Sequence, residues 1–347
     1  MAGPAASVRG GMRRVVDQYL SCDRWGQIEL RYVPTYVEGP ALKKLLFFAC
    51  GFLRIGAGCV TRQADILHLH VSERGSFWRK ALLLTVGRWM GVRTVLHHHG
   101  AEFFDFFEQS SASVRRIITG VIERADLNLV LSEYHCQIMR SKFPKGNFAV
   151  LYNAVDASDG TLYRPGSRGI AFVGRLGQRK GTYDLIRAME RIEDVLPPDI
   201  RFFFCGDGDV EAVSQLLRDR GLSHRVGHLG WCSREQLASI LLEAMLFVLP
   251  SYHEGLPMSV LEAMSAGIPC IVSGVDAIPE VIRSGSNGLL IEPGAPGQIA
   301  DAILRLVRDP DARRTLGENG QRTVRESFLL ETHVERLKQM YQKLKDE

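Results

Sequence analysis

Eleven short runs of apolar and β-branched residues, spaced by segments of helical periodicity, constrain this chain more than any other feature. They fall at 28–36, 66–71, 94–98, 127–131 and 148–152, then at 169–173, 201–205, 226–229, 246–249, 269–273 and 288–291. Amphipathic segments at 183–196, 210–221, 234–243 and 298–309 lie between the later runs. Strand and helix alternating at this spacing predict parallel sheets covered by helices on both faces. The polar stretch 156–168, with Asp159-Gly160 and Arg164-Pro165-Gly166 turn signals, reads as a linker between two sets of elements. The expected class is α/β: two Rossmann-like, doubly wound domains facing across a cleft. A length of 347 residues suits two domains.

Charge divides the chain unevenly. Residues 1–150 hold 20 Lys/Arg against 12 Asp/Glu, whereas the remainder holds 23 against 27. A basic half suits an anionic partner. No basic stretch is interleaved with aromatics in the manner of a nucleic-acid binder, so nucleic acid is not expected. The segment 42–54 is apolar and flanked by Lys43, Lys44 and Arg54. As a helix it either packs in the outer layer of a sheet with a charged rim, or lies on an anionic membrane surface. The longest apolar run, 45–53, falls far short of the ~18–20 residues of a membrane span. The start, Met-Ala-Gly-Pro-Ala-Ala-Ser, lacks the apolar core of a signal peptide. Seven scattered cysteines without a C-x-x-C pair are expected to be small buried hydrophobes in a reducing compartment. The expected location is cytoplasmic, and peripheral at the inner face of the membrane if 42–54 takes the membrane-surface form.

Ligands of doubly wound sheets bind beyond the carboxyl ends of strands, so the loops there carry the chemistry. Gly174-Arg175-Leu176-Gly177-Gln178-Arg179-Lys180-Gly181 follows a buried run and opens a helix. Arg175 can fork two phosphate oxygens, Lys180 adds a point charge, and the helix start adds free N–H groups. The second loop, Ser251 to Gly267, places Glu254 just before a helix and Glu262 in its second turn. The backbone amides of Gly255 and Leu256 lie beside them. Pro257, Val260, Leu261 and Met264 form the expected buried stripe, and Glu262 lies off it. Amides for a diphosphate and carboxylates for sugar hydroxyls are thus offered together.

Glu254 and Glu262, within Glu-Gly-Leu-Pro-x3-Leu-Glu-Ala-Met-x-Ala-Gly-x-Pro, resemble the E-x7-E signature of the retaining glycosyltransferases of family 4. The loop from Gly174 to Gly181 is similar to that family's phosphate-binding motif. Gly10-Gly11 resembles its N-terminal glycine loop, His99-Gly100 its acceptor-domain element, and Asn153-Ala154-Val155-Asp156 the turn before its linker. The stretch Ala277-Ile278-Pro279-Glu280 resembles its Gly-x-Pro-Glu element. The resemblance implies a GT-B fold, with an acceptor domain at 1–155 completed by a helix at 329–347 and a donor domain at 160–328. By the same pattern Arg175 and Lys180 neutralise the leaving diphosphate, Glu254 holds the donor sugar and Glu262 the ribose. His99 lies near the transferred sugar, Gly11 approaches the phosphates, and Gly206 belongs to the turn near the base. The implied donor is a UDP- or GDP-sugar and the acceptor a glycan or lipid-linked glycan, with no metal or other cofactor. A nucleotide-sugar epimerase and a non-catalytic nucleotide-sugar-binding scaffold are the competing readings.

Three patterns suggest other chemistry. Asp207-Gly208-Asp209 spells a metal-binding D-x-D but follows a strand as a glycine turn. His97-His98-His99 invites zinc, but alternate side chains on a strand face opposite ways and no remote partner cluster is visible. A complete G-x-G-x-x-G fingerprint is absent. Two departures from the family pattern stand out. Asp276-Ala277 replaces a Gly-Gly turn, and only nine residues precede Gly10. The first, central strand is therefore expected to be a stub or a gap, with the functional chain starting further upstream.

Overall fold

The computed structural model describes residues 1–157 and 163–346. The part of the expected linker at 158–162 lies outside the described residues. The chain divides into two compact units, Met1–Ala154 with Leu330–Glu347, and Val155–Leu329.

Unit 1 is built on six parallel strands: β1 (Ala2–Pro4), β2 (Val33–Tyr36), β3 (Ile66–Val71), β4 (Arg93–His98), β5 (Leu127–Val130) and β6 (Phe148–Val150). Their order is β2-β1-β3-β4-β5-β6. Strand direction reverses its progress across the sheet between β1 and β3, which makes their carboxyl ends a natural ligand site. The C-terminal helix Leu330–Asp346 packs in this unit through Val334, Leu337, Tyr341 and Leu344.

The first strand is a stub, as expected, but not a gap. Although only three residues long, β1 pairs with β2 at Ala2↔Val33, Gly3↔Pro34 and Pro4↔Tyr36, and with β3 at Ala2↔Leu69. Side chains complete what so short a strand lacks. Tyr32 Oη donates to the Pro4 carbonyl at 2.6 Å, Thr35 Oγ1 to that of Gly3 at 3.2 Å, and Arg13 Nη1 to Pro4 at 3.2 Å. Gly3 makes this possible, because a Cβ there would sit 2.7 Å from the Tyr32 hydroxyl.

Unit 2 contains β7 (Gly169–Val173), β8 (Arg201–Cys205), β9 (Val226–Gly230), β10 (Ala244–Leu249), β11 (Cys270–Ser273) and β12 (Leu289–Ile291). All pairings are parallel and the order is β12-β11-β10-β7-β8-β9. Strands β7 and β10 are central, buried on both faces and almost wholly apolar, as inner parallel strands must be. The switch point lies between them.

The cysteine expectation holds for five positions, but Cys22 is half-buried and Cys50 is exposed. Cys50 lies on the helix Ala41–Val60, whose large apolar side chains also face outward.

Candidate functional site

In unit 2 the residues singled out from sequence gather at the carboxyl ends of β7 and β10. After β7 the chain makes a short 3-10 turn, Gln178–Lys180, and enters the helix Thr182–Ile192 through Gly181. Gly181 has φ +69°, and a Cβ there would lie 1.9 Å from the Pro250 carbonyl oxygen. Only glycine lets the two strand-end loops meet so closely. Tyr252 N–H donates to the Arg179 carbonyl at 2.8 Å and Arg179 Nη1 to the His253 carbonyl at 3.1 Å, fastening one loop to the other.

That closeness brings Lys180 and Glu254 together. Lys180 Nζ donates to Glu254 Oε1 at 2.5 Å, and Ser251 Oγ donates to the same oxygen at 2.6 Å. Both side chains are largely buried, Lys180 at 13% and Glu254 at 5% exposure. A charge-assisted bond away from water fixes both groups firmly. Both bonds fall on Oε1, so the other carboxylate oxygen remains oriented but engaged by neither. The backbone N–H of Glu254 donates in turn to Asp276 Oδ2 at 2.8 Å. Asp276 adopts a left-handed φ of +49°, in the turn where the family pattern has glycine. The sequence departure thus has a structural use: the aspartate secures the glutamate's backbone.

Arg175 stands apart from that pair. It is 69% exposed, with Nη1 3.8 Å from Asp207 Oδ2. Gly174 and Gly206 mark where two loops touch: a Cβ on Gly206 would fall 1.9 Å from the Gly174 carbonyl oxygen. Leu176 N–H donates to the Asp207 carbonyl at 2.6 Å and Asp209 N–H to that of Leu176 at 3.1 Å. Asp209 Oδ2 accepts from the Tyr183 hydroxyl at 2.8 Å. The two aspartates of the D-x-D pattern therefore serve different partners.

The helix after β10 spans Met258–Ser265, with Pro257 at its N-cap rather than inside its first turn as the sequence suggested. Val260, Leu261 and Met264 are fully buried, and Glu262 is half-buried on the side facing away from that stripe. Leu256 is buried and Gly255 half-buried, immediately before the helix.

Gly11 and His99 belong to unit 1. Gly11 is the first residue of the helix Gly11–Ser21, and Gly10 before it has φ +125°. A Cβ built on Gly11 meets no atom within 4 Å, so nothing in the fold demands a glycine there. His99 follows β4, and its Nε2 lies 3.0 Å from His70 Nδ1, the rings stacked at 5.2 Å. Burial pushes its pKa down, with His98 and His333 adding to the shift.

The reading that His97 and its neighbours have no remote partners is corrected. Strands β3 and β4 align His70 with His97, so His68 and His70 share one face with His97 and His99, and His98 points the other way. Ligand atoms of His68, His70 and His97 lie within 4.8 Å of one another, a cluster hidden from the sequence because register brings it together. His68 Nδ1 meets the Tyr341 hydroxyl at 2.6 Å and its Nε2 meets His97 Nδ1 at 3.2 Å. His333 bridges the Tyr19 hydroxyl and the Tyr152 carbonyl. Of the residues that hold these side chains within their own units, Ser251 and Asp276 in unit 2 and His70 in unit 1 were missed. Ser251 had a signal, lying three residues before Glu254 at a strand end.

Comparison with known proteins finds glycosyltransferases. Residues 161–323 match the family described as "Glycosyl transferases group 1". The chain is 29% identical, over 80% of its length and 75% of the relative's, to the UDP-Gal:alpha-D-GlcNAc-diphosphoundecaprenol alpha-1,3-galactosyltransferase of Escherichia coli. It is 26% identical, over 80% and 74%, to the N-acetyl-alpha-D-glucosaminyl L-malate synthase of Bacillus anthracis. Among solved structures, Anabaena HepE in complex with UDP-glucose superposes with a TM-score of 0.75 at 19% identity, covering 99% of this chain and 98% of that one. The sucrose-phosphate synthase of Thermosynechococcus elongatus gives 0.76 at 19%, with the same coverage. The fold is that of the GT-B glycosyltransferases.

Proposed function

We propose that this chain is a retaining, family 4 glycosyltransferase that moves a hexosyl group from a nucleoside-diphosphate sugar to a glycan or lipid-linked acceptor. Polysaccharide or cell-envelope glycan synthesis is its setting. Relatives named with UDP or UDP-Gal favour a UDP-sugar over a GDP-sugar as donor. The observation that carries the reading is the Lys180–Glu254 pair at the carboxyl ends of the two central strands of unit 2.

Cleaving a glycosyl phosphate builds positive charge on the sugar and negative charge on the departing diphosphate. Fixed cations and N–H groups aimed at the latter lower the barrier, because they need no reorganisation as charge develops. In this proposal Lys180, Arg175 and the amides of Gly255 and Leu256 meet the diphosphate, and no divalent cation takes part. Gly174 and Gly206 keep the backbone open around the nucleotide, and Gly11 leaves room for a phosphate at the start of its own helix. Glu254, held through Oε1, offers its other oxygen to donor-sugar hydroxyls, while Glu262 accepts from the ribose. His99, neutral at ordinary pH, lies near the transferred sugar. Retention follows from attack on the face the diphosphate leaves, with a phosphate oxygen taking the acceptor's proton.

The test is donor screening by thermal shift, followed by nucleotide release with and without acceptor. UDP and one UDP-sugar should raise Tm, since a ligand of the native state stabilises it. Arg175→Ala should lower kcat by about 10²–10³-fold, and Arg175→Lys should recover only part, because the planar fork is lost. Turnover should survive EDTA. Binding without nucleotide release would make the chain a nucleotide-sugar-binding scaffold, and turnover without acceptor an epimerase.

A further inference from the structure

The helix Ala41–Val60 is turned opposite to what its composition suggests. Its inward seam is Gly51, Ile55 and Cys59, one turn apart, with Phe48 and Phe52 packing at the edge of the core. Gly51 sets the distance: a Cβ there would lie 2.8 Å from the Pro34 carbonyl oxygen of β2. The glycine in the seam lets the helix sit close to the sheet, and its four leucines are left outside. Leu42, Leu45, Leu46, Leu53 and Val60 are each 58–69% exposed. Spacings of three, four and seven residues put them on one stripe.

A second helix of the same unit, Gly75–Trp89, packs beside the first. The crossovers β2 to β3 and β3 to β4 advance in the same direction, so right-handed connections lay both helices on one face of the sheet. Trp78, Leu82 and Trp89 are exposed on it, Trp89 at 84%. Neither helix carries an acidic side chain. Lys43, Lys44 and Arg54 lie on the first, whereas on the second Arg88 pairs with Asp126 at 2.6 Å, Arg79 lies over the Tyr36 ring and Lys80 is buried. No helix among the described residues is long and apolar enough to cross a membrane.

We infer that the outer face of these two helices docks unit 1 onto an anionic lipid surface. Apolar side chains enter the headgroup boundary, the cations meet lipid phosphates, and Trp89 sits at the interface, where indoles partition. A second copy of the chain suits this face less well. A two-fold contact would set Lys43, Lys44 and Arg54 against their own copies, with no carboxylate on either helix to pair them.

The experiment is vesicle flotation of the full chain, with phosphatidylcholine alone and with a third phosphatidylglycerol. Trp emission and sedimentation velocity are followed in parallel. Binding is expected only with the anionic lipid, weakening as salt rises, with a blue shift of emission that Trp89→Phe reduces. Leu46→Glu with Leu53→Glu should abolish binding, and Lys43→Glu with Lys44→Glu should weaken it about tenfold or more. These positions are exposed, so Tm and its increase with UDP should be unchanged. That control separates failure of the docking face from failure of the donor assignment. Binding that is absent, equal on neutral vesicles, or indifferent to the Glu variants overturns the inference. A dimer lost in Leu53→Glu, without vesicle binding, does so too and assigns the face to a second copy.

Discussion

Lys180 and Glu254 each remove the other's charge from an environment with little water, and that mutual dependence is measurable. Removing one partner leaves a buried charge unpaired, so Lys180→Met and Glu254→Gln should each cost about 3 kcal/mol in urea unfolding. The double variant should cost clearly less than their sum, because the penalties share one interaction. Ligand measurements on the glutamates then divide their roles. Glu262→Ala should weaken UDP binding, whereas Glu254→Gln should leave UDP affinity near normal and depress turnover. Equal losses of UDP affinity in both would merge the two roles. Gly11 gives a complementary test: its added methyl meets nothing in the fold, so Gly11→Ala should keep Tm and lose donor affinity. At this scale the sequence was informative wherever chemistry depends on neighbours along the chain. Lys180 and Glu254 were legible as strand-end residues. Asp276 was visible only as a departure, because its use depends on a backbone N–H 22 positions away. The histidine cluster needed the pairing of two strands.

Elements were legible in proportion to how strongly their own residues dictate them. β7, β8 and the helix Arg234–Glu243 begin and end where the apolar runs and the Ser233 cap place them. β1 was legible only as a stub, since Ala-Gly-Pro has little strand preference and is held by Tyr32, Thr35 and two flanking strands. The orientation of Ala41–Val60 was hidden for a different reason. Nearly every position is apolar, and periodicity cannot choose a face when the inward seam is the smallest one. β3 and β4 carry the element-scale prediction. Burial holds His68, His70 and His97 well below an ordinary pKa of 6.5, and holds His98 and His333 at about 4. The unfolded chain therefore binds more protons below pH 6.5 than the folded one. Stability present above that pH is lost as pH falls toward 4, by up to about 1.4 kcal/mol per histidine per pH unit. Denaturant midpoints of unit 1 should fall steeply between pH 6.5 and 4.5. His333→Gln should flatten the slope by about one proton, whatever it does to stability at pH 8.

The chain passes from unit 1 to unit 2 after Ala154 and returns after Leu329, so unit 2 is one continuous stretch and unit 1 is not. A parallel bridge between Val155 and Leu329 ties the two ends of unit 2 together within that unit. Residues 155–329 therefore contain a whole six-stranded sheet, its helices and the Lys180–Glu254 pair, and should fold as an independent cooperative domain. Unit 1 depends on its last helix. Deleting residues 330–347 would strip Leu330, Val334, Leu337, Tyr341 and Leu344 from the core. It would also leave His68 without the Tyr341 hydroxyl and Tyr19 without His333. At roughly 1.5–3 kcal/mol for each large buried side chain, the loss is on the order of the whole stability of a domain. Calorimetry of a chain ending at Leu329 should show the unit 2 transition in place and the unit 1 transition absent. Residues 155–329 alone should reproduce the surviving transition. Retention of both transitions without the helix would mean that the buried histidine face is sealed by other elements of unit 1, and that the return of the chain is dispensable to its folding.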